Sequence, residues 1–286
     1  MITSPSNPKV KELILLRDKP RARNKSGLFV AEGLKMFEEA PASNLQEVYL
    51  SRDLWEQLEK EERHLFIWKK LRECIKGGIT VEQVATEVFQ KASDTQTPQG
   101  ILFVGRQLSY SLEELIKAAR ERQRAGGRPP LFLLLEDIQD PGNLGTMLRT
   151  GEGAGADAVI MSRKTVDIYN PKTIRSTMGA LYREPFVYVE GLGQAIALLR
   201  QYQIPVYAAH LKGRQYFDEL SYEKGGAFLI GNEGNGLRRE TAEQADIWVK
   251  IPMEGKAESL NAAVAAALLM YQASGYFRRS KRSKAT

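Results

Sequence analysis

Between residues 131 and 252 the chain repeatedly runs four to six apolar residues together before breaking into a polar, glycine-containing stretch. LFLLLE (131–136), AVIMS (158–162), PFVYVE (185–190), VYAAH (206–210), GAFLIG (226–231) and IWVKIP (247–252) are continuous, not alternating. A strand with one wet face alternates apolar and polar residues, so continuous strands need cover on both faces. The intervening segments read as helices from about 144, over 171–181 and over 194–203, with a last helix over 259–276. This alternation predicts an α/β fold with a parallel sheet between helix layers. Ligands of such sheets bind beyond the carboxyl ends of the strands, so the loops after Glu136, Ile230 and Ile251 are where chemistry is expected.

At about 150 residues per domain, a chain of 286 residues suggests two. Upstream, KVKELILLRD reads as an amphipathic helix, and LFVAEG (28–33), LQEVYLS (45–51) and GILFVG (100–105) as strands. Helices are expected over 54–64 and 81–91, giving a smaller α/β module. The stretch AGGRPP (125–130), with charges before it, has linker composition. The expected organisation is a module over 1–106, a basic Gly/Pro linker over 107–130, a second domain over 131–277 and a basic tail over 278–286.

Composition narrows the chemistry. Hydrophobic residues make up 43% of the chain, which excludes wholesale disorder. The only cysteine is Cys74, and the only histidines are His64 and His210. That inventory excludes a disulfide framework, a cysteine-rich zinc site and a Cys/His triad, leaving carboxylates, amides, hydroxyls, Arg and Lys for the chemistry. No signal-type segment and no run of 18 apolar residues is present, so a soluble cytoplasmic protein is expected.

The formal charge of +6 is unevenly placed. Residues 1–25 carry Lys9, Lys11, Arg17, Lys19, Arg21, Arg23 and Lys25 against Glu12 and Asp18, and the tail adds Arg278, Arg279, Lys281, Arg282 and Lys284 with no acid. The body between is mildly acidic. A third basic stretch runs from Lys117 to Arg128. Such asymmetry points to a polyanion such as RNA; the alternative is a solubilising tail.

Three loops look built for a site. In DPGNLGTMLRTGEGAGA (140–156), Asn143 is expected to cap the following helix. Arg149 lies six residues on, and at 100° per residue it points about 120° away from Asn143. An Arg buried near a strand-end cleft needs an anion or a neighbouring carboxylate. Gly151 and Gly153 each cost a helix about 1 kcal/mol relative to Ala, which questions its length. In LIGNEGNGL (229–237), Gly231, Gly234 and Gly236 follow an apolar strand; the spacing is neither a P-loop nor the dinucleotide pattern, and a tight turn is the bland alternative. Glu233 within it is poor packing material and good site material. In IPMEGKAESLNAAVAAALLMYQ (251–272), Ser259 is expected to cap the helix, Asn261 to project from its first turn, and the alanines to allow close packing.

Together these loops closely resemble the three motifs of the SpoU, or TrmH-type, RNA ribose 2′-O-methyltransferases of the SPOUT superfamily. The likeness extends over VDIYNPKTIRSTMGALYREP (166–185) and most of 131–275. SPSNPKVKELILLRD, GLFVAEG and SDTQTPQGILFV look, more loosely, like the family's L30e-like substrate-binding domain. The resemblance implies a parallel-sheet domain with a deep trefoil knot, S-adenosylmethionine as cofactor, an RNA substrate and a homodimer. It places the catalytic set on Asn143, Arg149, Glu233, Ser259 and Asn261, and cofactor contacts on Ala209, Gly231, Ile251, Met253 and Leu260. The added domain favours 23S ribosomal RNA over tRNA. A non-catalytic RNA-binding protein of the same fold is the main rival, and a Rossmann-type dehydrogenase or NTPase is weakened by its missing motifs.

Overall fold

The structure is a computed structural model that describes residues 1–60 and 65–283. His64 and Lys284 lie outside the described residues. The chain forms two compact units: Met1–Leu108 with Asp167–Tyr182, and Ser109–Val166 with the chain from Arg183 on.

The first unit contains α1 (Pro8–Asp18), α2 (Pro20–Ser26), β1 (Leu28–Glu32), α3 (Leu34–Glu39), β2 (Leu45–Ser51), α4 (Arg52–Lys60), α5 (Leu65–Lys76), β3 (Thr80–Val84), α6 (Thr86–Ala92) and β4 (Ile101–Arg106). Its sheet runs β1-β4-β2-β3, with β4 antiparallel to both neighbours and β3 parallel to β2. Asn7 caps α1, and its apolar stripe Val10, Leu13 and Leu16 is buried with Tyr49, Val88, Phe89 and Leu102. Residues 81–91, expected as one helix, divide instead into β3 and α6. Thr80, Val81 and Val84 are β-branched and favour a pleated strand beside β2.

Part of the N-terminal positive charge is internal. Arg23 is 1% exposed; it donates to Asp167 at 2.6 and 2.9 Å and to the carbonyls of Leu16 and Arg17 at the end of α1. Arg17 donates to the carbonyls of Lys91, Ala92 and Ser93, where α6 ends. Lys11, Lys19, Arg21 and Lys25 remain exposed.

The second unit contains α7 (Leu112–Arg124), β5 (Leu131–Leu135), α8 (Pro141–Ala154), β6 (Ala158–Ser162), β7 (Phe186–Val189), α10 (Leu192–Gln201), β8 (Val206–Ala209), β9 (Gln215–Tyr216), β10 (Gly226–Ile230), α11 (Arg239–Ala242), β11 (Ile247–Lys250) and α12 (Ala262–Ser283); the intervening α9 (Pro171–Thr177) belongs to the first unit. Its seven strands are all parallel, in the order β7-β6-β5-β10-β8-β11-β9. Phe132, Leu134, Ile160, Ala208 and Leu229 form a core with Ile196 and Leu199 of α10, while α12 packs on β5, β10 and α8.

Residues 107–130, expected as a linker, hold α7. Ser111 caps it, and Ile116 and Ala119 bury in the core of the second unit. Helix-forming LEELIKAARERQR outweighs the Gly/Pro stretch that follows it. Three of the basic residues here are engaged within the unit: Arg120 donates to the carbonyls of Tyr202 and Gln203, and Arg122 and Arg128 both pair with Asp157, while Lys117 and Arg124 are exposed. The helix expected over 171–181 ends at Thr177, because Met178 and Gly179 turn left-handed at φ 51° and 92°.

Gly151 and Gly153 of α8 have packing reasons. A Cβ on Gly151 would lie 3.2 Å from Glu184 Oε1, and one on Gly153 would lie 2.9 Å from Tyr271 Oη. The helix runs on to Ala154 despite their propensity cost.

Candidate active site

The loops after β5, β10 and β11 converge as the parallel topology requires. The β5 loop turns into α8 through Asp140, not Asn143. Asp140 is the N-cap and accepts from the Asn143 N–H at 2.8 Å, with Pro141 at the first helical position. This frees the Asn143 side chain to reach across the site. It donates to Glu233 Oε1 at 3.0 Å, and its Oδ1 accepts from Asn261 Nδ2 at 3.1 Å. Glu233 also takes the backbone N–H groups of Gln139 and Asp140, each at 3.0 Å. Burial raises the Glu233 pKa, but these hydrogen bonds outweigh it and hold the carboxyl below its ordinary value. Glu233 is therefore an anion at neutral pH, with its lone pairs already engaged.

Loop 231–236 is fixed by its own chemistry. Asn232 and Gly236 exchange backbone hydrogen bonds, and Asn232 Oδ1 accepts from the N–H groups of Gly234 and Asn235. A Cβ on Gly231 would fall 2.2 Å from Gly236 C and Leu237 N, so no other residue fits. Beneath the loop, the buried Glu136 accepts from the Arg238 N–H at 2.7 Å, Arg238 Nε at 2.9 Å and Thr241 Oγ1 at 2.5 Å. This clamp joins the end of β5 to the start of α11 and sets where Glu233 stands.

Asn261 caps α12 through Oδ1 to the N–H groups of Ala263 and Val264. Ser259, expected in that role, lies before the helix, is exposed and has no hydrogen-bond partner among the described residues. Two adjoining cavities share a wall made of Asn232, Glu233, Gly234, Ser259, Leu260 and Ala262. One, about 340 Å³, is also lined by Ala209, Gly231, Ile251 and Met253, which brings all five expected cofactor residues into one pocket. Its volume falls in the range of about 300–1,000 Å³ usual for small-molecule sites. The other, more open, is about 750 Å³ and holds Gln139, Asp140, Asn143 and Asn261.

His210 lines the smaller cavity and stacks on Trp248, ring centroids 4.3 Å apart; burial, then Lys212, lowers its pKa, so the ring is neutral at pH 7. Sequence reasoning did not single out His210, Asn232 or the Glu136 clamp for the site. Arg149 is the displaced member of the expected set. It is exposed, has no partner among the described residues and lines neither cavity, in keeping with its 120° offset from Asn143. Among the described residues no group of three His, Cys, Asp or Glu could hold a metal, and no helix is long and apolar enough to cross a membrane.

Comparison with known proteins agrees with this architecture. Residues 130–271 match the model of the SpoU rRNA methylase family, and residues 7–102 that of an MRM3-like substrate binding domain. The 23S rRNA (guanosine(2553)-2′-O)-methyltransferase RlmP of Bacillus subtilis is 33% identical over 274 residues, 96% of this chain and 99% of that one. A 23S rRNA (guanosine-2′-O-)-methyltransferase RlmB of Xylella fastidiosa is 32% identical over 225 residues, 77% of this chain and 86% of that one. The crystal structure of an AdoMet-bound rRNA methyltransferase from Sinorhizobium meliloti superposes with a TM-score of 0.80 at 27% identity, covering 98% of this chain and 97% of that one. The chain belongs to the SpoU family of S-adenosylmethionine-dependent RNA methyltransferases, with a substrate-binding domain ahead of the catalytic one.

Proposed function

We propose that the chain methylates a ribose 2′-hydroxyl of 23S ribosomal RNA. The observation that carries this reading is the shared wall: a pocket lined by Ala209, Gly231, Ile251, Met253 and Leu260 adjoins, across Glu233 and Ser259, a polar cleft containing Asn143 and Asn261. Gly231 admits no Cβ because the loop's own backbone at Gly236 and Leu237 closes on it, which holds the loop in shape at the edge of this pocket. Ala209, Gly231, Ile251, Met253 and Leu260 would hold S-adenosylmethionine.

Bound S-adenosylmethionine supplies a methyl group on a positively charged sulfur, a strong electrophile. The chain's task is then positioning and disposal of one proton. Glu233 fixes the Asn143 amide, and Asn143 fixes Asn261, so three side chains from three loops act as one rigid rim. Ser259, whose hydroxyl has no partner, is the group left to hold the ribose at the boundary between the cavities. Arg149 acts by charge, stabilising the oxyanion that develops at the 2′-oxygen while the proton leaves to water or phosphate. A guanidinium is a poor base.

Arg149 reaches a site through a second copy of the chain. α8 packs on α12, with Gly153, one turn on from Arg149, against Tyr271, and on α12 Val264, Leu268 and Tyr271 are 39–48% exposed. An apolar patch of this kind fits a homodimer packed through α8 and α12. The test is a map of 2′-O-methylated positions in total RNA, read by resistance to alkaline cleavage, with and without the gene. Loss of one position in 23S rRNA is expected. A change confined to tRNA overturns the rRNA assignment, and no change overturns the activity.

A further inference from the structure

The first unit holds a second cavity, of about 230 Å³, where β2, α4, α6 and the start of β4 meet. Its floor is apolar: Leu54 and Phe89 are buried beneath it, and Gly100, at φ 84°, packs so closely that a Cβ would lie 2.6 Å from Ser51 Oγ and 2.7 Å from Leu54 Cβ. Its rim is polar and has hydrogen bonds to give. Among the described residues Gln57, Thr86 and Gln90 have no side-chain hydrogen-bond partner. Gln99 uses Oε1 to accept from the Leu34 N–H at 2.9 Å, which turns its position into a fixed one and leaves its amide N–H groups available. Ser51 Oγ accepts from the Leu54 N–H at 3.2 Å and keeps its own proton.

These features select a ligand class. The only charged lining residue is Asp53, so a phosphate has no place inside. The volume is far above the ~30 Å³ of one water and below the ~300 Å³ where sites for larger ligands begin. A flat neutral ring with donors and acceptors on its edge fits both the apolar floor and the amide rim. Glutamine amides read such edges, and sequence-specific RNA recognition takes hold of unstacked bases in this way.

We propose that this cavity receives a single unpaired nucleobase of the RNA substrate, and that Gln57 and Gln90 read its edge. The proposal rests on RNA being the substrate and is independent of which ribose is methylated. It makes the first unit a reader of sequence, whereas exposed cations such as Lys11 and Arg21 contribute affinity without sequence.

The experiment is interference mapping on the full-length enzyme with a 23S rRNA transcript in which bases are removed sparsely and at random. Bound and unbound transcripts are separated and each missing base is scored. Wild type is expected to exclude from the bound fraction transcripts lacking one base at a position other than the methylated nucleotide. In the Gln57→Ala/Gln90→Ala double variant, that exclusion disappears and the KM for RNA rises roughly tenfold. Its kcat, S-adenosylmethionine affinity and thermal midpoint stay at wild-type values. The salt dependence of binding also stays unchanged, because no phosphate contact is removed. An interference pattern identical in variant and wild type overturns the proposal, as does a changed salt slope. Saturable binding of free nucleosides to this cavity, abolished in the double variant while the interference pattern persists, would make it an effector site and equally overturn it. Failure of the 2′-O-methylation reading shows differently, as wild-type enzyme that binds transcript and leaves every ribose unmodified.

Discussion

Glu184 offers a prediction whose size follows from the structure. It is 2% exposed, its Oε1 has no hydrogen-bond partner, and it lies against the stretch of α8 where Gly151 leaves room for it. Burial is the main cause that pushes its pKa up from 4.5 to about 8; Asp157 and Glu152 push the same way, and Arg128 opposes them. Tyr110, whose own pKa is raised by burial and by Glu184, is also near. The folded protein thus keeps the proton to about pH 8, while the unfolded chain releases it near 4.5. The folded state binds more protons across that window, so stability falls as pH rises from 4.5 to about 8 and then levels. At about 1.4 kcal/mol per pH unit, the loss by pH 7 is about 3 kcal/mol. Glu184→Gln, which cannot ionise, removes this slope. Its urea-unfolding midpoint should match wild type near pH 4.5 and exceed it at pH 7 by an amount equivalent to about 3 kcal/mol. Parallel midpoints for the two proteins from pH 5 to 8 would refute the reasoning, since Glu184 would then ionise alike in both states.

Three further outcomes are expected. Glu136→Ala leaves the Arg238 N–H and Thr241 hydroxyl unpaired; the Arg238 guanidinium, 44% exposed, turns to solvent, so the loss in chemical denaturation is about 3 kcal/mol and S-adenosylmethionine affinity measured by calorimetry falls with it. Arg149→Ala abolishes methyl transfer with cofactor affinity intact, whereas Arg149→Lys keeps part of kcat; equal inactivity of the two in single-turnover assays would exclude simple charge stabilisation. Leu268→Lys places a charge on the exposed apolar face of α12 and should yield a monomer in sedimentation that binds cofactor but has lost activity; an active monomer would separate Arg149 from any partner.

The parts of the fold that could be read from sequence were those where burial leaves little choice. AVIMS is β6 residue for residue because a strand covered on both faces must be apolar throughout. The misread parts obey weaker constraints. β3 has a partly exposed face and only five residues, so TVEQV looks helical beside α6. β9 is two exposed residues held by β11 alone. In α7 the apolar positions Leu112, Leu115, Ile116 and Ala119 carry the helical spacing, but charges and the following Gly/Pro stretch hide it.

The site shows the same division between residue type and residue duty. Asp140-Pro141 is an N-cap followed by proline at the first helical position, a stronger start signal than Asn143. Reading it so would have released Asn143 for Glu233 and Asn261. Ser259 and Asn261 are both capping types two residues apart, and only the reach of Asn261 Oδ1 to the Ala263 N–H decides between them. Charge follows this rule on a larger scale. Arg17, Arg23, Arg120, Arg122 and Arg128 all contribute to the basic segments, yet each is engaged by carbonyls or carboxylates of its own unit. A cation already desolvated and paired releases no counterion when RNA arrives. The electrostatic part of RNA binding must therefore come from exposed positions such as Lys11, Lys19, Arg21, Lys25 and Arg149, a smaller set than the sequence count suggests. With fewer phosphate contacts available, selection of the correct RNA falls more heavily on uncharged groups, which is the role the glutamine-rimmed cavity of the first unit is shaped to fill.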